Sequence, residues 1–105
     1  MPMASSHPRV LTLSPKELLV LELLREQDLY GLQLVALSSG RLKRGTVYVT
    51  LGRMEEKGYI TSKLEAARSG VGGLPRRIYA ATPLGRRMFA AWTSGAKRLV
   101  PEVAR

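Results

Sequence analysis

The stretch "RLKRGTVYVTLGRMEEKGYI", residues 41–60, decides how the rest of the chain is read. It reads as one helix with basic residues clustered at its start. Val47, Leu51 and Met54 recur at helical spacing, which predicts a buried stripe. The opposite arc carries Gly45, Thr46, Val49, Gly52, Arg53 and Glu56. Most of that arc is small or uncharged, so its backbone is free to approach another molecule closely. Lys57 suits the negative end of the helix dipole, and Gly58 suits a left-handed cap.

The charge map says what kind of molecule that face would meet. The chain of 105 residues carries a net charge of +9. Residues 41–87 hold eleven Lys and Arg against three Asp and Glu, whereas residues 1–40 hold three against four. Charge concentrated in one segment points to a polyanion more than to general solubility. With no cysteine, a disulfide framework or thiolate metal site is excluded, and the only histidine, His7, lies in the polar tail "MPMASSHPR". No apolar run approaches the ~20 residues that span a bilayer, and no signal-peptide pattern opens the chain. The expected setting is the cytoplasm, on the nucleoid, with neither metal nor cofactor.

Around the opening stretch, "SPKELLVLELLRE" carries helix-start signals. Ser14 can cap, Pro15 fits the first helical position, and Glu17 completes a capping box. Leu18, Leu19, Val20, Leu21, Leu23 and Leu24 make this helix apolar around more than one side. One stripe is expected to face the core and another a second subunit. "DLYGLQLVALSSG" is expected to be a second helix, with Leu32, Val35 and Ala36 helically spaced and Gly40 as its stop. "YITSKLEA" and "RRIYAA" read as two strands joined through the glycine-rich "ARSGVGGLP". Thr82 opens a last helix, in which Leu84, Met88 and Trp92 form one stripe; Gly95 weakens it and Pro101 should stop it.

Three helices followed by a hairpin is the layout of a winged helix-turn-helix, a mainly α (α+β) fold whose third helix fits a DNA major groove. The expected domains are a flexible tail at 1–13, a DNA-binding unit at 14–81, a last helix at 82–100, which the resemblance below makes the dimerisation helix, and a tail at 101–105. On this reading Arg53 reaches a base edge, and Val49 or the Thr46 methyl meets a thymine methyl. Lys43 and Arg44 meet a phosphate at the helix start, and Arg68, Arg76 and Arg77 extend that contact along the wing. Tyr48 and Thr50 stand at the flanks. For Tyr48 two readings stay open: a phosphate hydrogen bond, or a half-buried brace of the fold. No nucleophile with its base and no carboxylate pair in an apolar site suggests an enzyme. "SGVGG" lacks the lysine and the strand-before-helix setting of a phosphate loop.

In sequence, "LYGLQL", "GRLKRGTVYVTLGRMEEKGYI" and "GLPRRIYAATPLGRRMF" resemble the PadR-type transcriptional regulators, over residues 15 to about 92. The resemblance implies a homodimer that binds palindromic operators on double-stranded DNA, usually as a repressor, with the last helix pairing with the partner's first. The dimer residues are then Leu18, Leu21, Leu84, Met88 and Trp92. A single helix after the wing matches the family's short branch. Some relatives sense a small aromatic effector at the dimer interface, where Trp92 would stack on it or simply pack the dimer. The chain departs from the family pattern at Val49, where proline is usual, at Gly52, where a larger residue is, and at Leu74-Pro75. The competing classes are an RNA-binding structural protein and a protein-interaction module.

Overall fold

The computed structural model describes residues 12–65 and 75–104, with side chains described as far as residue 94. In chain order the elements are α1 (Pro15–Leu23), β1 (Leu29–Tyr30), α2 (Gly31–Leu37), α3 (Val47–Lys57), β2 (Ile60–Glu65), β3 (Arg76–Ala81) and α4 (Pro83–Ala104). The strands form one antiparallel sheet in the order β1-β3-β2.

α1 begins as expected. Ser14 Oγ accepts from the Glu17 amide at 3.1 Å, and Glu17 Oε1 accepts from the Ser14 amide at 2.9 Å. The pair satisfies two amides that a helix start otherwise leaves bare. The same carboxylate meets Lys57 Nζ at 2.9 Å, so the first turn of α1 is pinned to the last turn of α3. Lys57 Nζ also approaches the Thr12 carbonyl at 3.5 Å, and the Tyr59 hydroxyl donates to that carbonyl at 3.1 Å. Leu13 is buried beside them.

The core lies where α1, α2 and α3 meet the sheet. Val20, Leu24, Leu34, Leu51, Met54 and Tyr59 have no exposed surface. Val47, Leu51 and Met54 are all buried, as their spacing predicts. In α1 and its cap, Leu19, Val20, Leu21 and Leu24 are buried by the chain itself, and Leu18 and Leu23 are half-buried against the core. Leu21, expected at a subunit contact, is only 1% exposed, so its own core already fills that side.

Four boundaries differ from the sequence reading. Residues 41–46 do not join α3. The Thr46 and Val47 amides donate to the Lys43 carbonyl at 3.1 and 2.9 Å, forming a turn ahead of the helix. Buried Leu42 anchors this connection, with its amide donating to Ser38 Oγ at 2.9 Å. α2 stops at Leu37, and the chain leaves through Ser39 and Gly40, with φ of 55° and 83°. Its buried residues are Gly31 and Leu34, while Leu32 and Ala36 face outward. The sheet gains a third strand, because Leu29 and Tyr30 pair with Tyr79 and Ile78 instead of opening α2. Finally, α4 runs on through Pro101 to Ala104; a proline this near a helix end removes a single internal hydrogen bond.

Gly58, with φ of 82°, closes α3 in the left-handed conformation that side chains disfavour. Its carbonyl accepts from Thr82 Oγ1 at 2.6 Å, and Thr82 Oγ1 accepts from the Gly85 amide at 3.0 Å. The end of α3 and the start of α4 are thereby knotted together.

Candidate nucleic-acid interface

The turn at 43–46 and the whole outer side of α3 are open to solvent. Lys43, Arg44, Thr46 and Arg53 are exposed, Val49 is 56% exposed, and Thr50 is partly covered. Arg53 makes no hydrogen bond or ion pair with any described residue. The only acid on this arc is Glu56, at its far end.

Tyr48 stands to one side of that face. Its ring lies over Gly31 of α2, where an added Cβ would fall 2.5 Å from Tyr48 Cε1. Yet half of Tyr48 stays exposed, so it braces α3 on α2 and still presents its edge outward. Of the two readings of this residue, the contact with Gly31 is the brace.

The wing base supplies the second set of charges. The Arg76 guanidinium lies 4.1 Å from the centroid of the Tyr30 ring, a cation–π contact. The Tyr30 hydroxyl donates to Glu65, the residue opposite Arg76 across the ladder. Arg77 Nη1 donates to Ser62 Oγ at 3.0 Å, and Ser62 Oγ donates to Glu55 Oε2 at 2.6 Å. Two acids near the basic face are thus engaged by hydroxyls, and the arginines keep exposed donors. Burial pushes the Tyr79 phenol up, Glu55 adds to that rise and Arg77 opposes it, so the phenol stays neutral near pH 7. Arg68 lies outside the described residues.

These residues gather into two shallow grooves. One, of about 370 Å³, is lined by Tyr30, Leu32, Tyr48, Leu64, Arg76 and Arg77, among others. The other, of about 520 Å³, holds Thr46, Val49, Thr50 and Arg53 together with Ser14, Pro15, Lys16 and Glu17. The first turn of α1 was absent from the sequence reading of the site. It enters because the Glu17–Lys57 pair joins residues 40 positions apart.

A third concavity, about 490 Å³, lies between α1 and α4 and is lined by Leu21, Arg25, Phe89, Ala90 and Thr93, among others. Arg25 stacks on Phe89 at 5.5 Å to the ring centroid. Along α4, Leu84 and Met88 are half-buried against the core, and Trp92 emerges at 42% exposure. Among the described residues no group of three or more His, Cys, Asp and Glu could hold a metal ion. None of their helices is long and apolar enough to cross a membrane.

Solved structures share this arrangement. A PadR family transcription regulator from hypervirulent Clostridium difficile R20291 is 28% identical, covering 82% of this chain and 90% of its own, with a TM-score of 0.67. A PadR family transcriptional regulator from Eggerthella lenta DSM 2243 is 29% identical, over 83% of this chain and 76% of its own, with a TM-score of 0.69. Bacillus subtilis PadR, solved in complex with operator DNA, shares the fold with 22% identity and a TM-score of 0.62, over 72% of this chain and 45% of its own. No curated protein matches the chain. Residues 20–91 match the family described as transcriptional regulator PadR-like. The four helices, the small antiparallel sheet and that match agree: the chain belongs to the PadR-like family of transcriptional regulators.

Proposed function

We propose that this regulator is a homodimeric repressor that places α3 in the major groove of a two-fold symmetric operator. The carrying observation is the outer face of α3, where exposed Arg53, with no hydrogen bond or ion pair to any described residue, stands among Thr46, Val49 and Gly52, and nothing lies within 4 Å of a Cβ added at Gly52. A guanidinium so placed suits the O6 and N7 acceptors of guanine, and Val49 suits a thymine methyl. Lys43 and Arg44 before the helix and Arg76 and Arg77 at the wing base, with Arg68 from the sequence between the two strands, supply the phosphate contacts that give affinity without sequence preference. That Bacillus subtilis PadR has been solved with operator DNA supports this role for the shared fold.

The second protomer is assigned to the α1–α4 side. Half-buried Leu18, Leu84 and Met88 and exposed Trp92 leave apolar area there for a partner to cover. Trp92 packs that contact, and it is also the surface on which a small aromatic effector would stack and release the operator. Two-fold symmetry sets the two α3 helices about 34 Å apart, one turn of DNA.

The test is a salt-titrated binding curve on duplex DNA from upstream of the protein's own gene, beside a random duplex and a structured RNA. The expected result is two protomers per site and a preference of about 10³-fold or more over random duplex. Preference for the RNA, or equal binding to all three, would overturn the reading.

A further inference from the structure

The two grooves lie on opposite sides of α3. At about 100° per residue, Tyr48 lies to one side of buried Val47 and Thr46 to the other. Gly52, Val49 and Glu56 form the ridge between. The groove beside Tyr48 ends on Arg76 and Arg77, and the groove beside Thr46 and Arg53 ends on the first turn of α1. A helix seated in a major groove about 12 Å wide has a phosphate backbone on each side. The wing arginines serve one of them. Resting on the DNA-binding reading above, we propose that Lys16 serves the other, making the start of α1 a second backbone clamp.

The local chemistry fits this assignment. Lys16 is exposed and makes no hydrogen bond or ion pair with any described residue. The acid next to it, Glu17, also borders the groove, but its side chain is 5% exposed and its carboxylate is held by Lys57 Nζ at 2.9 and 3.0 Å and by the Ser14 amide. Its charge is therefore balanced by Lys57, leaving Lys16 and Arg53 as the cations lining the groove without a described partner. The ion pair and the capping box also fix the first turn of α1 against α3, so Lys16 stands at a set distance from the reading face.

The experiment compares wild type, Lys16→Ala and Lys16→Arg on the operator duplex and on random duplex by anisotropy between 50 and 200 mM salt. Arg87→Ala on α4 removes the same charge elsewhere. Lys16→Ala should weaken both duplexes about three- to tenfold and lower the salt slope by about 0.9 for each phosphate lost. Lys16→Arg should bind as wild type does, and Arg87→Ala should leave the slope unchanged. Wild-type binding with an unaltered slope for Lys16→Ala, or an equal loss for Arg87→Ala, would overturn the clamp alone. A wild-type chain that binds no duplex would overturn the DNA-binding reading, and the clamp with it.

Discussion

Gly85→Ala should destabilise the fold by about 3 kcal/mol, the larger end of the range for overpacked sites. A Cβ at this position would fall 2.0 Å from the Tyr59 carbonyl oxygen, 3.0 Å from its carbon and 3.1 Å from Leu21 Cδ2. The first two are backbone atoms, so no rotamer change relieves the clash, and the start of α4 must move away. That movement stretches the bonds joining the two segments: the Thr82 amide to the Tyr59 carbonyl at 3.0 Å, and the Thr82 hydroxyl to the Gly58 carbonyl at 2.6 Å. Alanine's better helix propensity offsets less than about 1 kcal/mol of this. Thermal denaturation should show a melting point lower by roughly 12–24 °C for a domain of this size. Gly52 in α3 is the internal contrast, because nothing lies within 4 Å of its added Cβ. Gly52→Ala should leave stability unchanged or raise it.

The second large effect is expected at Lys57. Lys57→Met removes the cation from a carboxylate whose side chain is 5% exposed, leaving Glu17 with the Ser14 amide among its described partners. Breaking one side of a buried pair costs about 3–5 kcal/mol. Lys57 itself is 35% exposed, so water screens part of the interaction and about 2 kcal/mol is the expected loss. Denaturant melts of a double-mutant cycle test this. Adding Glu17→Gln to Lys57→Met should recover part of the loss, because the charge left unpaired is then gone. A double variant less stable than Lys57→Met would show that the pair acts through packing and not through charge.

These two residues also mark where sequence reading succeeds and where it stops. The Ser14–Glu17 capping box, the buried stripe of α3 and the Gly58 cap are local, since each depends on spacing within a few positions. The exposed outer face of α3 was legible for the same reason, and so were Thr46, Val49 and Arg53 on it. What escaped the sequence is non-local or very short. Leu29 and Tyr30 form a strand of two residues, too brief for an alternating pattern to register. The outward-facing Leu32 and Ala36 share helical spacing with Val35, but the buried side of α2 is carried by Gly31 and Leu34. A glycine at the start of a helix gives no hydropathy signal, yet it is what lets the Tyr48 ring lie down on α2. Glu17 and Lys57 come together only through the tertiary fold, and with them Lys16 arrives beside the reading face. Leu21 errs in the other direction. The greasy first helix suggested an outer stripe, whereas three of its apolar side chains, and that of its cap Leu24, are taken up by the protomer's own core.

Base reading by α3 is proposed to run through Arg53. The most direct measurement is a base-by-base substitution series of the operator, bound by wild type and by Arg53→Ala at one salt concentration. Arg53→Ala should lose discrimination at a single base pair in each half-site, by about 1–3 kcal/mol, and keep the rest of the preference profile. An equal loss on every sequence, with the profile unchanged, would make Arg53 a backbone contact and contradict the placement of α3.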